Sequence, residues 1–246
     1  MPAHAPLLIG TAGWTIPRDV ADRFPDEGSS LSRYAARFRC AEINSSFHRS
    51  HKPETWARWA DSVPEDFRFA AKLSKAITHK AKLVGCEELV AAAVAEMRQL
   101  GHRLAVVLVQ LPPSLAFDAA VAAPFFDTLR AYWEGAVACE PRHPSWLEPE
   151  ADALLAAHRA ARVGADPARA EGLAEPGGWT GLAYYRLHGS PVMYRSAYGP
   201  ERLAPYAAAL GRRAAEGREA WCIFDNTASS AATADALTLE RLVEEG

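Results

Sequence analysis

Short apolar runs that stop abruptly at polar or charged residues recur along the chain, and most are followed by a stretch with helical spacing. Leu104-Ala-Val-Val-Leu-Val-Gln110 is the clearest. It is apolar on both faces, as a strand buried between two layers would be, and Pro112-Pro113 ends it. Val137-Ala-Cys-Glu140 ends the same way, with Pro141, Arg142, Pro144 and Trp146 after it. Read in this manner the pattern predicts strands over Leu7–Gly10, Ala41–Arg49, Phe67–Lys72, Leu104–Gln110, Val137–Glu140, Arg162–Asp166, Leu182–His188 and Glu219–Asn226. Apolar residues at helical intervals predict helices over Ser30–Phe38, Pro53–Asp61, Cys86–Leu100, Ala151–Ala161, Pro200–Glu216 and Ala231–Glu244. After the sixth strand a Gly/Pro-rich segment to Gly181 takes the place of a helix.

Strands alternating with helices require a parallel sheet, because parallel neighbours need crossover connections of this length. Repeated eight times, right-handed crossovers close the sheet into a (β/α)8 TIM-type barrel, here with an irregular sixth β/α unit. An open doubly wound sheet also alternates, but its glycine-rich phosphate turn is missing, since Gly10-Thr-Ala-Gly13 does not match G-x-G-x-x-G. No internal repeat or low-complexity linker divides the 246 residues, so a single domain over 1–246 is expected.

Composition narrows the class. With 49% hydrophobic and 23% charged residues and a net charge of −3, the chain is an ordinary globular protein without a broadly basic surface for nucleic acid. No apolar run reaches the roughly 20 residues that span a bilayer. Met1–Pro6 lacks the pattern of a secretory signal. Cys40, Cys86, Cys139 and Cys222 are scattered without a Cys-x-x-Cys pair, which predicts reduced thiols and a cytoplasmic protein.

In a barrel of this kind, side chains at the carboxyl ends of the strands converge on one mouth. Those ends carry Thr11, Gly13, Glu42, Asn44, Lys72, Gln110, Glu140, Arg142, Asp166, Arg186, His188, Asp225 and Asn226. Glu140 and Arg142, two apart, point the same way from extended backbone. Lys72 can act as a cation for an anionic ligand, as a base or as a Schiff-base amine, or simply pair with Glu42 or Glu140. Arg142 and Arg186 are forks suited to phosphate or carboxylate, or to the neighbouring Glu140, Glu42 and Asp225. His188 shares a strand face with Arg186 and is the acid/base candidate whose pKa is ordinarily nearest neutrality, the alternative being a core histidine. Trp14 and Trp146, just past strand ends, are candidate pocket walls, whereas Trp56 and Trp59 are expected to pack on the barrel.

At these residues the chain resembles the YecE-like proteins, a family known as domain of unknown function 72. The similarity is carried in order by Ile9-Gly-Thr-Ala-Gly-Trp14, Ala41-Glu-Ile-Asn-Ser-Ser-Phe-His-Arg49, Phe69-Ala-Ala-Lys72, Leu108-Val-Gln-Leu-Pro-Pro113, Glu140-Pro-Arg-His-Pro-Ser-Trp146, Tyr185-Arg-Leu-His-Gly189 and Phe224-Asp-Asn-Thr227. The resemblance implies a TIM-type barrel and a site at Glu42, Asn44, Lys72, Gln110, Glu140, Arg142, Arg186, His188 and Asn226. It implies no particular reaction.

Three functions fit this residue set. The first is an enzyme on a small phosphorylated or carboxylated molecule, with Glu42, Lys72, Glu140 and His188 as acid/base groups. Trp14, Asn44, Gln110, Arg142, Trp146, Arg186 and Asn226 would then contact the ligand. The second is a metal-dependent phosphodiesterase or nucleic-acid-processing barrel, with Glu42, Glu140, His188 and Asp225 around a divalent metal and Lys75, His79, Lys80 and Lys82 as a basic rim. No tight ligand spacing supports the metal, so no metal ligand or cofactor is assigned. The third is a small-molecule binding protein without turnover.

Overall fold

The structure, a computed structural model, describes residues 6–246. Among the described residues ten strands form one nearly closed, barrel-like sheet: β1 (Leu7–Ala12), β2 (Cys40–Ile43), β3 (Arg68–Lys72), β4 (Leu104–Gln110), β5 (Ala136–Glu140), β6 (Ala160–Arg162), β7 (Gly164–Asp166), β8 (Gly177–Gly178), β9 (Leu182–Leu187) and β10 (Glu219–Phe224). Their order is β7-β9-β10-β1-β2-β3-β4-β5-β6-β8, and all ladders are parallel except β6 with β8. The helices are α1 (Ser30–Ala35), α2 (Ser45–His48), α3 (Pro53–Asp61), α4 (Glu87–Met97), α5 (Ala119–Tyr132), α6 (Pro149–Ala157), α7 (Pro200–Ala215) and α8 (Ala232–Glu245).

The departures from the pattern have local causes. The sixth strand is split: Ala160–Arg162 pairs with β5, Gly164–Asp166 pairs with β9, and Val163 between them donates its N–H to the Cys139 carbonyl. The stretch 160–166 thus spans the gap between the two ends of the parallel ladder. Strand six begins at Ala160, so the helix before it ends at Ala157 instead of Ala161. In the Gly/Pro-rich segment Gly177 and Gly178 add the antiparallel β8 against β6. Strand two stops at Ile43 because Asn44 turns into helical backbone (φ −90°, ψ −20°) and opens α2, where an extended run to Arg49 was expected. Helix α5 lies where the pattern predicts none, and Pro124 inside it removes one helical N–H.

Alternation along the strands sorts side chains into two layers. Those facing outward, including Phe69, Val107, Val109, Val137, Tyr185 and Phe224, join Trp56, Val90, Phe125, Leu129, Leu155, Leu203 and Leu239 of the helices in one buried cluster. Those facing inward at mid-strand, Cys40, Ala70, Leu108, Ala138, Tyr184 and Ile223 among them, fill the barrel interior. Two residues further on, the same face carries Glu42, Lys72, Gln110, Glu140, Arg186 and Asp225. An apolar plug therefore floors a polar layer at the carboxyl ends. All four cysteines are buried free thiols. Among the described residues no helix is long and apolar enough to cross a membrane. The Met1–Pro6 stretch lies, apart from Pro6, outside the described residues.

Candidate active site

Arg186 occupies the centre of the polar layer and is fully buried. Its Nε donates to Glu42 Oε2 at 3.0 Å and its Nη2 to Glu42 Oε1 at 2.6 Å. Nη2 also reaches Asp225 Oδ2 at 2.9 Å, while Nη1 serves Glu140 Oε2 at 2.5 Å and Gln110 Oε1 at 3.4 Å. A guanidinium has five N–H donors, and these five contacts account for all of them. Arg186 is accordingly the keystone of the carboxylates and has no donor left for a ligand. The Tyr184 hydroxyl adds a further bond to Glu42 Oε2 at 2.9 Å.

His188 is held just as tightly. One ring nitrogen, Nε2, lies 3.0 Å from Glu140 Oε1, and the other, Nδ1, lies 3.1 Å from Asp225 Oδ2. Two carboxylates can both be satisfied only if both nitrogens carry protons, so the ring is an imidazolium. Burial disfavours that charge, but Glu140 and Asp225 outweigh it and raise the pKa. Glu140 is the mirror case: burial opposes its ionisation most strongly, yet Arg186, His188 and Arg142 hold its carboxyl well below the usual range. Asp225 is held low in the same way by Arg186 and His188. With neither nitrogen open, His188 is placed as a fixed member of the network and not as the free acid/base group expected from its position.

Arg142 closes the network, with Nε and Nη2 at 3.2 and 3.0 Å from Glu140 Oε1. Nη2 also lies 3.5 Å from the Tyr194 hydroxyl, and Nη1 has no partner among the described residues. Asn44 enters through Nδ2, which donates to Asp225 Oδ1 at 3.1 Å. Counting charges, Glu42, Glu140 and Asp225 balance Arg186, Arg142 and protonated His188.

Lys72 is the surplus. It is 6% exposed, makes no ion pair among the described residues, and sets its Nζ 4.3 Å from the centre of the Phe47 ring. Burial, reinforced by the Arg186 charge, lowers its pKa from 10.5 to about 8. The alternative in which Lys72 pairs with Glu42 or Glu140 is not found among the described residues: both carboxylates are occupied by arginine.

Three of the proposed residues lie elsewhere. Asn226 faces outward, donating to Asp235 Oδ2 at 2.7 Å and to the Ser196 carbonyl at 2.9 Å. Trp14 packs edge-on against Trp59 and Phe69, and Trp146 is buried against Phe117 with its N–H on the Leu115 carbonyl. Asp166 meets the site only through its carbonyl, which accepts from the His188 N–H and the Tyr198 hydroxyl, while its carboxylate lies 3.9 Å from Arg202 Nη2. Conversely, Tyr184 and Tyr194 join the site although the sequence reading assigns them no role, and His79, expected only as part of a basic rim, lies against Phe47 at its edge. Tyr184 was recoverable from strand alternation, being two before Arg186. The donor set does not fit a divalent metal: Glu42, Glu140 and Asp225 converge on the guanidinium of Arg186, which fills the space a metal would need.

A barrel-like α/β sheet with a closed charge network and one surplus lysine at its carboxyl mouth is the class of protein that the fold and site define. Residues 8–246 match the family described as "Protein of unknown function DUF72", and the chain belongs to that family. It is similar to the UPF0759 protein YecE of Escherichia coli K12, with 32% identity over 142 residues, 57% of this chain and 50% of the relative. The YecE of E. coli O157:H7 matches equally. The alignment therefore spans half the length of these curated relatives. A DUF72 family protein from Enterococcus faecalis V583 superposes with a TM-score of 0.81 at 20% identity, covering 97% of this chain and 95% of that one. One from Thermotoga maritima MSB8 superposes with a TM-score of 0.72 at 23% identity, covering 97% and 99%. These structures share the fold, as the strand–helix alternation predicts.

Proposed function

We propose that the protein is an enzyme that takes a small anionic substrate at the carboxyl mouth of the barrel and moves a proton with Lys72. The observation that carries this reading is the charge balance of the site. Every carboxylate there already has its cation, and among the described residues of the site Lys72 alone is left over, buried and poised to titrate near pH 8. An ammonium without a counter-ion attracts a substrate carboxylate or phosphate, and Nη1 of Arg142 offers a second donor beside it. Held at about 8, the ammonium gives up its proton to a substrate oxygen more readily than an ordinary lysine does, and the neutral amine so formed takes one back. Glu42, Glu140 and His188 act here as the scaffold that fixes Arg186 and Arg142, and so set the field that Lys72 feels.

The test is a screen of phosphorylated and carboxylated metabolites for consumption by the wild-type protein, followed by NMR, with Lys72→Met in parallel. The reading expects one class to be turned over by the wild type and by at least a hundredfold less in the variant. Binding with no turnover of any bound compound would make this a binding protein and remove the catalytic role.

A further inference from the structure

Resting on that reading, we infer that His79 is the third cationic arm of the site and that the group bound there is a phosphoryl dianion, on an ester or as free phosphate, and not a carboxylate. The segment after β3 is not an ordinary helix start. Ala76–Lys80 is a π-helical turn, closed by the Ala81 N–H on the Ala76 carbonyl at 2.9 Å. Such wide turns are rare and frequent at functional sites, because the extra residue re-aims one side chain. Lys82 and Leu83 follow in left-handed backbone (φ 49° and 72°), a costly conformation for residues with a Cβ.

The turn places the His79 ring edge-on against Phe47, with centroids 5.0 Å apart, on the same ring that Lys72 Nζ approaches at 4.3 Å. Nδ1 is engaged 2.9 Å from the hydroxyl of buried Thr78, which fixes the ring plane. Nε2 has no partner among the described residues. The charged groups near enough to act on this ring are Lys72 from β3 and Arg142 from beyond β5, and His48 also packs edge-on against Phe47 with ring centroids 5.0 Å apart. Burial and the charges of Lys72 and Arg142 keep His79 neutral in the empty site, below its ordinary pKa. An arriving anion offsets the positive charges of Lys72 and Arg142 and draws a proton onto Nε2. With His79 charged the mouth carries a surplus of two positive charges, Lys72 and His79. A phosphoryl dianion neutralises both, whereas a carboxylate leaves one unpaired. The three donors Lys72 Nζ, Arg142 Nη1 and His79 Nε2 also match in number the three peripheral oxygens of a phosphoryl group.

The test follows the histidine ring protons by NMR against pH, with the His79 signal assigned from His79→Gln, in the absence and presence of inorganic phosphate, glycerol 3-phosphate or acetate. The inference expects the His79 midpoint to lie below 6.5 in the free protein and to rise by a unit or more with phosphate or the phosphomonoester. His79→Gln should weaken phosphate at least tenfold at pH 6.5 and change acetate less than twofold. The ester binding as well as the free ion assigns the site to phosphomonoesters; the free ion alone assigns it to phosphate. An unmoved His79 midpoint, or acetate as tight as phosphate, overturns the inference while leaving an anion site at Lys72 intact. If no anion binds the wild type, the reading beneath it falls as well.

Discussion

Arg186 grips Glu42 with two parallel hydrogen bonds, Nε to Oε2 at 3.0 Å and Nη2 to Oε1 at 2.6 Å, and both side chains are wholly buried. The pair joins β9 to β2 across the two intervening strands β10 and β1, 144 residues apart in sequence. Around it the remaining N–H groups of Arg186 collect Glu140, Asp225 and Gln110. The mouth of the barrel is thus cross-braced by one guanidinium.

Removing that brace strands three buried carboxylates. Arg186→Met is expected to cost about 3–5 kcal/mol, the range for breaking a buried pair by deleting one partner. Arg186→Lys, with three donors in place of five, should still lose a substantial part of that. Urea unfolding followed by tryptophan fluorescence measures both. A loss below about 1 kcal/mol in the Met variant would mean that the network contributes little to the folded state.

The pH dependence of stability carries the signature of His188. Its pKa is raised in the folded protein, so its contribution is fully present below the unfolded value near 6.5 and is lost as pH rises through the folded value. Glu140 and Asp225 are lowered, so theirs is present above ordinary carboxylate values and lost as pH falls. Unfolding free energy should therefore decline on both sides of a plateau in the mildly acidic range. In His188→Gln the decline on the neutral side should flatten. An identical slope in the variant would show that His188 is neutral in the folded protein.

Lys72 carries the opposite sign. Holding a lysine at about 8 instead of 10.5 disfavours the folded state by roughly 3 kcal/mol at pH 7, where the unfolded chain keeps its proton freely. That penalty fades as pH climbs from 8 toward 10.5. Lys72→Met, apolar and of similar length, is accordingly expected to raise the melting temperature at pH 7 and to abolish anion binding together. Such a gain at the expense of function is common where a site stores an unfavourable charge. A variant that melts earlier than the wild type would show that the ammonium is compensated.

Much of this is legible in the sequence. The both-face apolar run Leu104–Gln110 and the repeated change from apolar strand to polar tip identify the barrel. Alternation by two then lines up Glu42, Lys72, Gln110, Glu140 and Arg186 on the inner face. Helix α5 is hidden by Pro124, although Ala122, Phe125, Phe126 and Leu129 keep helical spacing. Pairing is the part that strand order alone does not give. Arg186, not Lys72, takes the carboxylates because its planar fork reaches three of them at once, and that depends on barrel geometry. Trp14 and Trp146 stand apart from the charged network: Trp14 packs on Trp59 and Phe69, and Trp146 lines a separate cavity of about 470 Å³ with Leu83, Leu115 and Phe117. His79 reads as one charge in a basic run, since a π turn changes the direction of a side chain without leaving a periodic trace.

The central claim, that a balanced network leaves Lys72 as the uncompensated cation of the site among the described residues, is tested most directly by titrating that side chain. With lysines labelled at Cε with carbon-13 and the Lys72 signal assigned from Lys72→Met, the account predicts a midpoint near pH 8. A midpoint near 10.5 would contradict it, because it would mean that a carboxylate of the cluster is already spent on Lys72.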